Sequence, residues 1–159
     1  MQDKTVLITG SSSGIGRATA AAFLDEDWTV HATARDTADI EDLAEAGCET
    51  HELDVTDDED VADVVDRVVD ADGRIDCLVN NAGFGQFGPL EDVPVEDLHA
   101  QFDVNVYGPH RMARAVLPHM REQGEGTIVN LSSVSGRVAT PGMGAARTGM
   151  RRPGRRARG

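Results

Sequence analysis

The chain has 159 residues, enough for one ordinary domain with a full core and too few for two. Its 15 basic residues against 28 acidic ones give a net charge of -13, and Lys4 is the single lysine. Nucleic acid and anionic membrane are disfavoured as partners, because clustered Lys and Arg carry phosphate binding.

Short β-branched runs alternate with longer helical patterns. Lys4–Thr9 (KTVLIT) reads as the first strand, followed by a glycine-rich turn and a helix over about Ile15–Glu26. Trp28–Ala34 is the second strand, and Thr37–Ala46 a helical stretch. Glu49–Val55 is the third strand. In the helix expected over Asp57–Asp72, Val61, Val64, Val65, Val68 and Val69 recur at i, i+3, i+4, i+7 and i+8. Asp57 and Asp58 fall in its first turn, where the dipole favours negative charge, and Thr56 is the better-placed N-cap. Ile75–Ala82 is the fourth strand, a long helical region runs from about Val95 to Arg121, and Gly126–Ser133 is the fifth strand. The first, fourth and fifth strands are nearly continuous apolar runs, the pattern of parallel strands buried on both faces. Such alternation predicts an α/β fold, a doubly wound parallel sheet with helices on both faces.

Composition breaks near the C-terminus. The last thirteen residues, RTGMRRPGRRARG, carry six arginines and no acid, leaving nine basic against 28 acidic residues before them. Residues 1–145 therefore read as one domain and 146–159 as an arginine-rich irregular tail. The acidic, lysine-poor body suggests a high-salt cytoplasm, with an ordinary acidic bacterial protein as the alternative. Cys48 and Cys77 form neither a metal spacing nor a disulfide framework, which fits buried thiols in a reducing compartment. His31, His51, His99, His110 and His119 show no ligand spacing either. They are expected at the surface, and no metal site is expected. With no secretory leader and no apolar run near the roughly eighteen residues of a membrane span, a soluble cytoplasmic protein is expected.

The stretch ITGSSSGIG, Ile8 to Gly16, joins the first strand to the first helix. A glycine-rich turn there presents free backbone N–H groups and the positive end of a helix dipole to a pyrophosphate. Glycine is required because a side chain would block the tight turn or the phosphate's approach. The spacing of Gly10, Gly14 and Gly16 is T-G-x-x-x-G-I-G. Read with Asn80-Asn81-Ala82-Gly83, Asp54-Val55, Asn105 in DVNVYGP and IVNLSS ending at Ser133, the chain resembles the short-chain dehydrogenase/reductase family from about residue 3 to 145.

That resemblance implies a Rossmann-like three-layer αβα fold and an NAD(P)-dependent oxidoreductase moving a hydride between the cofactor and a small carbonyl or alcohol substrate. Gly10, Ser12, Gly14, Ile15 and Gly16 would line the dinucleotide phosphates. Asp54 would bind the adenine amino group with Val55 packed beside it, and Asn81, Ala82 and Gly83 would pass beside the ribose. Arg35 at the end of the second strand favours NADP over NAD, since a basic residue there pairs with the extra phosphate; the neighbouring Asp36 keeps NAD open. Ser133 matches the family's substrate-orienting serine, and Asn105 the asparagine of its proton relay. The tyrosine and lysine of the family's Y-x-x-x-K fall on Ala146 and Met150, so both are replaced. A reading-frame shift that cuts the domain short, removing its last strands and helices, explains the abrupt arginine-rich end. A diverged, non-catalytic dinucleotide-binding module, or an inactive truncated product with no function, is the alternative. An arginine-rich nucleic-acid tail is disfavoured by the acidic body. A shortened chain would leave the apolar fifth strand as an open edge and the family's usual homo-oligomer interface incomplete. Gly83–Pro89 (GFGQFGP) fits a substrate-facing loop or a flexible connector. Substrate identity is not encoded in these residues.

Overall fold

The computed structural model describes residues 4–133 and 144–145. Five strands, β1 (Thr5–Ile8), β2 (Thr29–Ala34), β3 (Glu49–Glu52), β4 (Cys77–Asn80) and β5 (Thr127–Asn130), form one parallel sheet in the order β3-β2-β1-β4-β5. Between them lie α1 (Gly14–Asp25), α2 (Glu41–Glu45), α3 (Asp58–Asp72), α4 (Val95–Phe102) and α5 (Gly108–Gln123). The expected doubly wound, three-layer arrangement is present. Alternate side chains of the central strand β1 enter different cores: Leu7 packs with Val61, Val64, Val65 and Val68 of α3 and Met112 and Val116 of α5. Val6 and Ile8 pack on the other face with Ala20 of α1 and Ile40 and Leu43 around α2. Burial on both faces is what the continuous apolar run of β1 requires.

Several elements differ from their sequence pattern. The segment after β2 begins as a 3₁₀ turn, Thr37–Ile40, capped by Asp36 through the Ala38 N–H, before the short α2. The N-cap of α3 is Asp57, whose carboxylate accepts the Glu59 and Asp60 N–H groups at 2.8 and 3.2 Å. Thr56 instead donates its hydroxyl to Asp54, because the two stand in a tight turn before the helix. The long region after residue 95 is broken by a π-helical turn, Asp103–Tyr107, between α4 and α5.

β5 is not buried on both faces. It is the last strand in the sheet, with Ile128 packed under the α3–α5 layer and Val129, on the opposite face, 41% exposed. His31 corrects the expectation of surface histidines: it is 1% exposed in β2, with Nδ1 2.8 Å from His51 Nε2 and Nε2 2.9 Å from Asp72. Cys48 and Cys77 are buried free thiols. Among the described residues, no helix is long and apolar enough to cross a membrane.

Candidate functional site

The first three residues after β1 decide the shape of the site. Thr9 is buried, and its hydroxyl oxygen accepts the Asn81 and Ala82 N–H groups at 3.1 and 3.0 Å. Gly10 then turns with φ +70°, and a Cβ there would stand 2.8 Å from the Ala82 Cα. Backbone this close tolerates only glycine. Asn81 completes the clip, its side-chain amide donating to the Thr9 and Gly10 carbonyls at 3.0 and 2.7 Å. A Cβ on Gly16 would collide with the Gly10 carbonyl and the Asn81 amide, so Gly16 lets α1 approach the turn. Ser11 is buried and points inward, its N–H bonded to Thr33 O and its hydroxyl to Ile8 O.

The start of α1 is electrostatically bare. Ser13 caps it in extended conformation with no side-chain bond, and its first turn holds no acid, whereas the first turn of α3 holds Asp58, Glu59 and Asp60. The positive end of the α1 dipole is left for something other than the protein's own carboxylates.

The turn faces a cleft of about 850 Å³ that runs along the C-terminal ends of β3, β2, β1 and β4. It is lined by Gly10, Ser12, Gly14 and Ile15 from the glycine turn, Ala34 and Arg35 after β2, Leu53 to Thr56 after β3, and Asn81 to Phe84 after β4. Ala100, Asp103 and Val104 complete it. Ten of the residues singled out in the sequence thus share one cavity: Gly10, Ser12, Gly14, Ile15, Arg35, Asp54, Val55, Asn81, Ala82 and Gly83. Gly16 lies beneath it.

Asp54 is held for one charge state. Burial works to raise its carboxyl, but bonds from the Thr56 N–H and hydroxyl at 2.9 and 2.7 Å, with Arg35 and Arg111 nearby, outweigh it and lower the group below its ordinary 3.8. Val55 is buried against Gly108, where a Cβ would stand 2.8 Å from its Cγ2. The first residue of α5 must therefore be small. Arg111 ties this wall together, reaching Asp103 at 2.7 Å, Asp58 at 3.2 Å and the Val55 carbonyl at 3.4 Å.

Asn105 and Ser133 are not among the lining residues. Asn105 sits in the π-helical turn and holds both backbone groups of Phe84: its Oδ1 accepts the N–H at 3.0 Å and its Nδ2 donates to the carbonyl at 2.6 Å. Its side chain thereby fixes the loop that follows β4. Ser133 is half-buried just beyond β5, in a stretch attached to β4 by the Leu131 N–H on Asn80 O. Ala146 and Met150 lie outside the described residues.

Two participants had no role assigned from the sequence. Thr9 organises the glycine turn, and its place at the strand end was the available signal. Gln101 of α4 is fully buried and bonded to two separate segments, the Gln86 N–H and the Ala145 carbonyl; nothing in its neighbourhood along the chain marks it.

Residues 4–147 match the family model described as short chain dehydrogenase. The 3-ketodihydrosphingosine reductase of Bacteroides thetaiotaomicron is 36% identical over 144 residues, covering 91% of this chain and 52% of the relative. A short-chain dehydrogenase from Streptomyces avermitilis superposes with a TM-score of 0.90 at 42% identity, over 94% of this chain and 56% of that one. A metagenomic short-chain oxidoreductase in complex with NADP (TM-score 0.85, 32% identity, 92% and 70% covered) has a similar fold. So has an NAD+-bound xylitol dehydrogenase (0.86, 35%, 92% and 59%), so solved neighbours bind either dinucleotide. The chain spans about half the length of the curated relatives it matches. With the glycine turn, the Asn81 clip and the cleft above the parallel sheet in place, the chain belongs to the short-chain dehydrogenase family.

Proposed function

We propose that residues 1–145 form a unit that binds NADP(H) in this cleft, the nucleotide-holding part of an oxidoreductase for a small carbonyl or alcohol substrate. The observation that carries the reading is the glycine turn itself. Gly10 and Gly16 are packed so closely that no side chain fits, and the acid-free N-terminus of α1 opens beside them into the cleft. A pyrophosphate suits that place. Arg35 and Asp54 then mark the adenosine end, above β2 and β3, and Asn81 to Phe84 mark the nicotinamide end, above β4. When bound, the nicotinamide supplies the hydride.

Arg35 is exposed at the mouth of the cleft, where it would pair with the phosphate that distinguishes NADP from NAD. Asp54, kept ionised by Thr56, would accept the adenine amino group. Ser133 would orient the substrate oxygen. Asn105 serves by holding Phe84 at the edge of the nicotinamide end. We place the chain in the cytoplasm and read its acidic, lysine-poor composition as fitted to high salt.

A second reading comes from the family resemblance. By that resemblance Ala146 and Met150 fall where the family has its tyrosine and lysine, and neither side chain can hold or move a proton at neutral pH. Cofactor binding without turnover follows from those two residues.

Fluorescence titration with NADPH and NADH separates the claims. The wild-type chain is expected to bind NADPH about tenfold more tightly, and Arg35→Glu to reverse the order, as an ion pair with the extra phosphate requires. Equal affinities in the wild type would sink the Arg35 assignment. Oxidation of NADPH by a panel of aldehydes and ketones reads turnover; steady consumption would overturn the binding-only reading.

A further inference from the structure

Gln101 is a fully buried polar side chain on α4, a helix that is otherwise largely exposed. Its amide is used in both senses: Oε1 accepts the Gln86 N–H at 2.8 Å, and Nε2 donates to the Ala145 carbonyl at 2.8 Å. These partners are 15 residues before it and 44 after it in the chain. Gln86 belongs to the loop that leaves the cleft wall at Gly83 and Phe84. Ala145 is 2% exposed, and a Cβ on the neighbouring Gly144 would stand 3.6 Å from Leu90. One side chain therefore holds together α4, the loop after β4 and the segment just before position 146. Ala100, the residue before Gln101, lines the cleft.

Among the described residues, the loop has few other internal anchors. Phe84 is fixed by Asn105, but Phe84 and Phe87 are 41% and 69% exposed, so apolar burial contributes little to holding it. The two amide bonds matter more where packing is thin, since each is made away from water, and either group would lose its partner if the side chain were removed.

We propose that Gln101 is a positioning residue that locks the Gly83–Pro89 loop to the 144–145 segment, and thereby holds the loop's cleft-lining residues Gly83 and Phe84 in place at the nicotinamide end. The proposal rests on the reading that the cleft holds a dinucleotide. Gln101 touches no cofactor atom itself; it acts through Gln86 and Ala145.

The two halves of NADPH provide the test. Affinities for NADPH and for its phospho-ADP-ribose half are measured on the wild-type chain, Gln101→Leu and Gln101→Glu, together with hydrogen exchange at the Gln86 amide. Gln101→Leu removes both bonds and is expected to weaken NADPH about tenfold, to leave phospho-ADP-ribose within about twofold, and to speed Gln86 exchange. Gln101→Glu keeps the acceptor for Gln86 but loses the donor to Ala145. Its NADPH affinity is expected to fall at neutral pH and to recover as the new carboxyl is protonated, which a merely structural residue would not show. Equal weakening of both ligands, or faster Gln86 exchange with unchanged NADPH affinity, overturns the proposal alone. A wild-type chain that binds neither ligand overturns the cofactor reading and this inference with it.

Discussion

His31 and His51 show how three hydrogen bonds tie side chains together inside the sheet. The Asp72 carboxylate, which can only accept, takes the Thr5 hydroxyl and the His31 Nε2–H, each at 2.9 Å. His31 Nδ1 and His51 Nε2 share the next hydrogen bond at 2.8 Å. Burial first, then His31 and Arg67, hold the His51 pKa below its ordinary 6.5, against the opposing pull of Glu49. Because the unfolded chain takes up a proton there before the folded one does, this stabilisation is complete above the unfolded pKa and declines as pH falls below it. Urea midpoints followed downward from about pH 8 to about pH 5 should fall, and His51→Gln, which can still hydrogen-bond His31, should give a shallower fall. Parallel curves would refute the assignment. Gly10 and Gly16 were legible in the sequence because only glycine meets their steric demand. His31 and Gln101 were not, since a lone polar residue in a strand or helix looks solvated until distant segments pack over it.

At the scale of elements, the valine repeat of α3 and the apolar run of β1 specified both type and place, because burial and periodicity agreed. Boundaries were less legible where side chains decided them: Asp57 rather than Thr56 caps α3, since Asp54 already engages the Thr56 hydroxyl. The break between α4 and α5 was hidden, because a π-helical turn interrupts the periodicity by one residue without any glycine or proline inside it. β5 was read correctly as a strand; its apolar run alone suggested cover on both faces, and only the expectation of a shortened domain pointed to the open edge found here. That edge has consequences. Among the described residues, Ile128 and Val129 sit on a strand with one unpaired side, so concentration-dependent self-association is expected. Val129→Lys should suppress it in light scattering while changing unfolding free energy by less than about 0.5 kcal/mol. The added lysine reduces the net negative charge, so general repulsion cannot account for such a result. Unchanged association would exclude β5 as the contact.

Charge governs the whole molecule. The excess of 13 negative charges is concentrated on elements such as α3, whose 15 residues carry seven acids and one arginine. Of the ion pairs that oppose it, Arg17–Asp42 and Arg111–Asp103 involve a carboxylate more than a third exposed, and such pairs contribute roughly 0–1 kcal/mol each; Arg74–Asp76, with both side chains largely buried, is the exception. Repulsion therefore outweighs attraction, and both are screened as the Debye length shortens from about 10 Å at 0.1 M salt to about 3 Å at 1 M. The melting temperature should rise over that range. A flat or falling curve would show that the surface pairs matter more than the excess of acid.

The parallel sheet places β1 between β2 and β4, and the Thr9–Asn81 clip joins residues 72 positions apart. On a nascent chain leaving the ribosome, residues 4–56 can assemble β1, β2 and β3 while one wall of the cleft has yet to be synthesised. Gly10 meets its counterpart only when Ala82 emerges, and closing that long loop is the slow step of such a topology. The glycine turn, Arg35 and Asp54 are therefore in place before Asn81 and Ala82 close the other wall of the cleft.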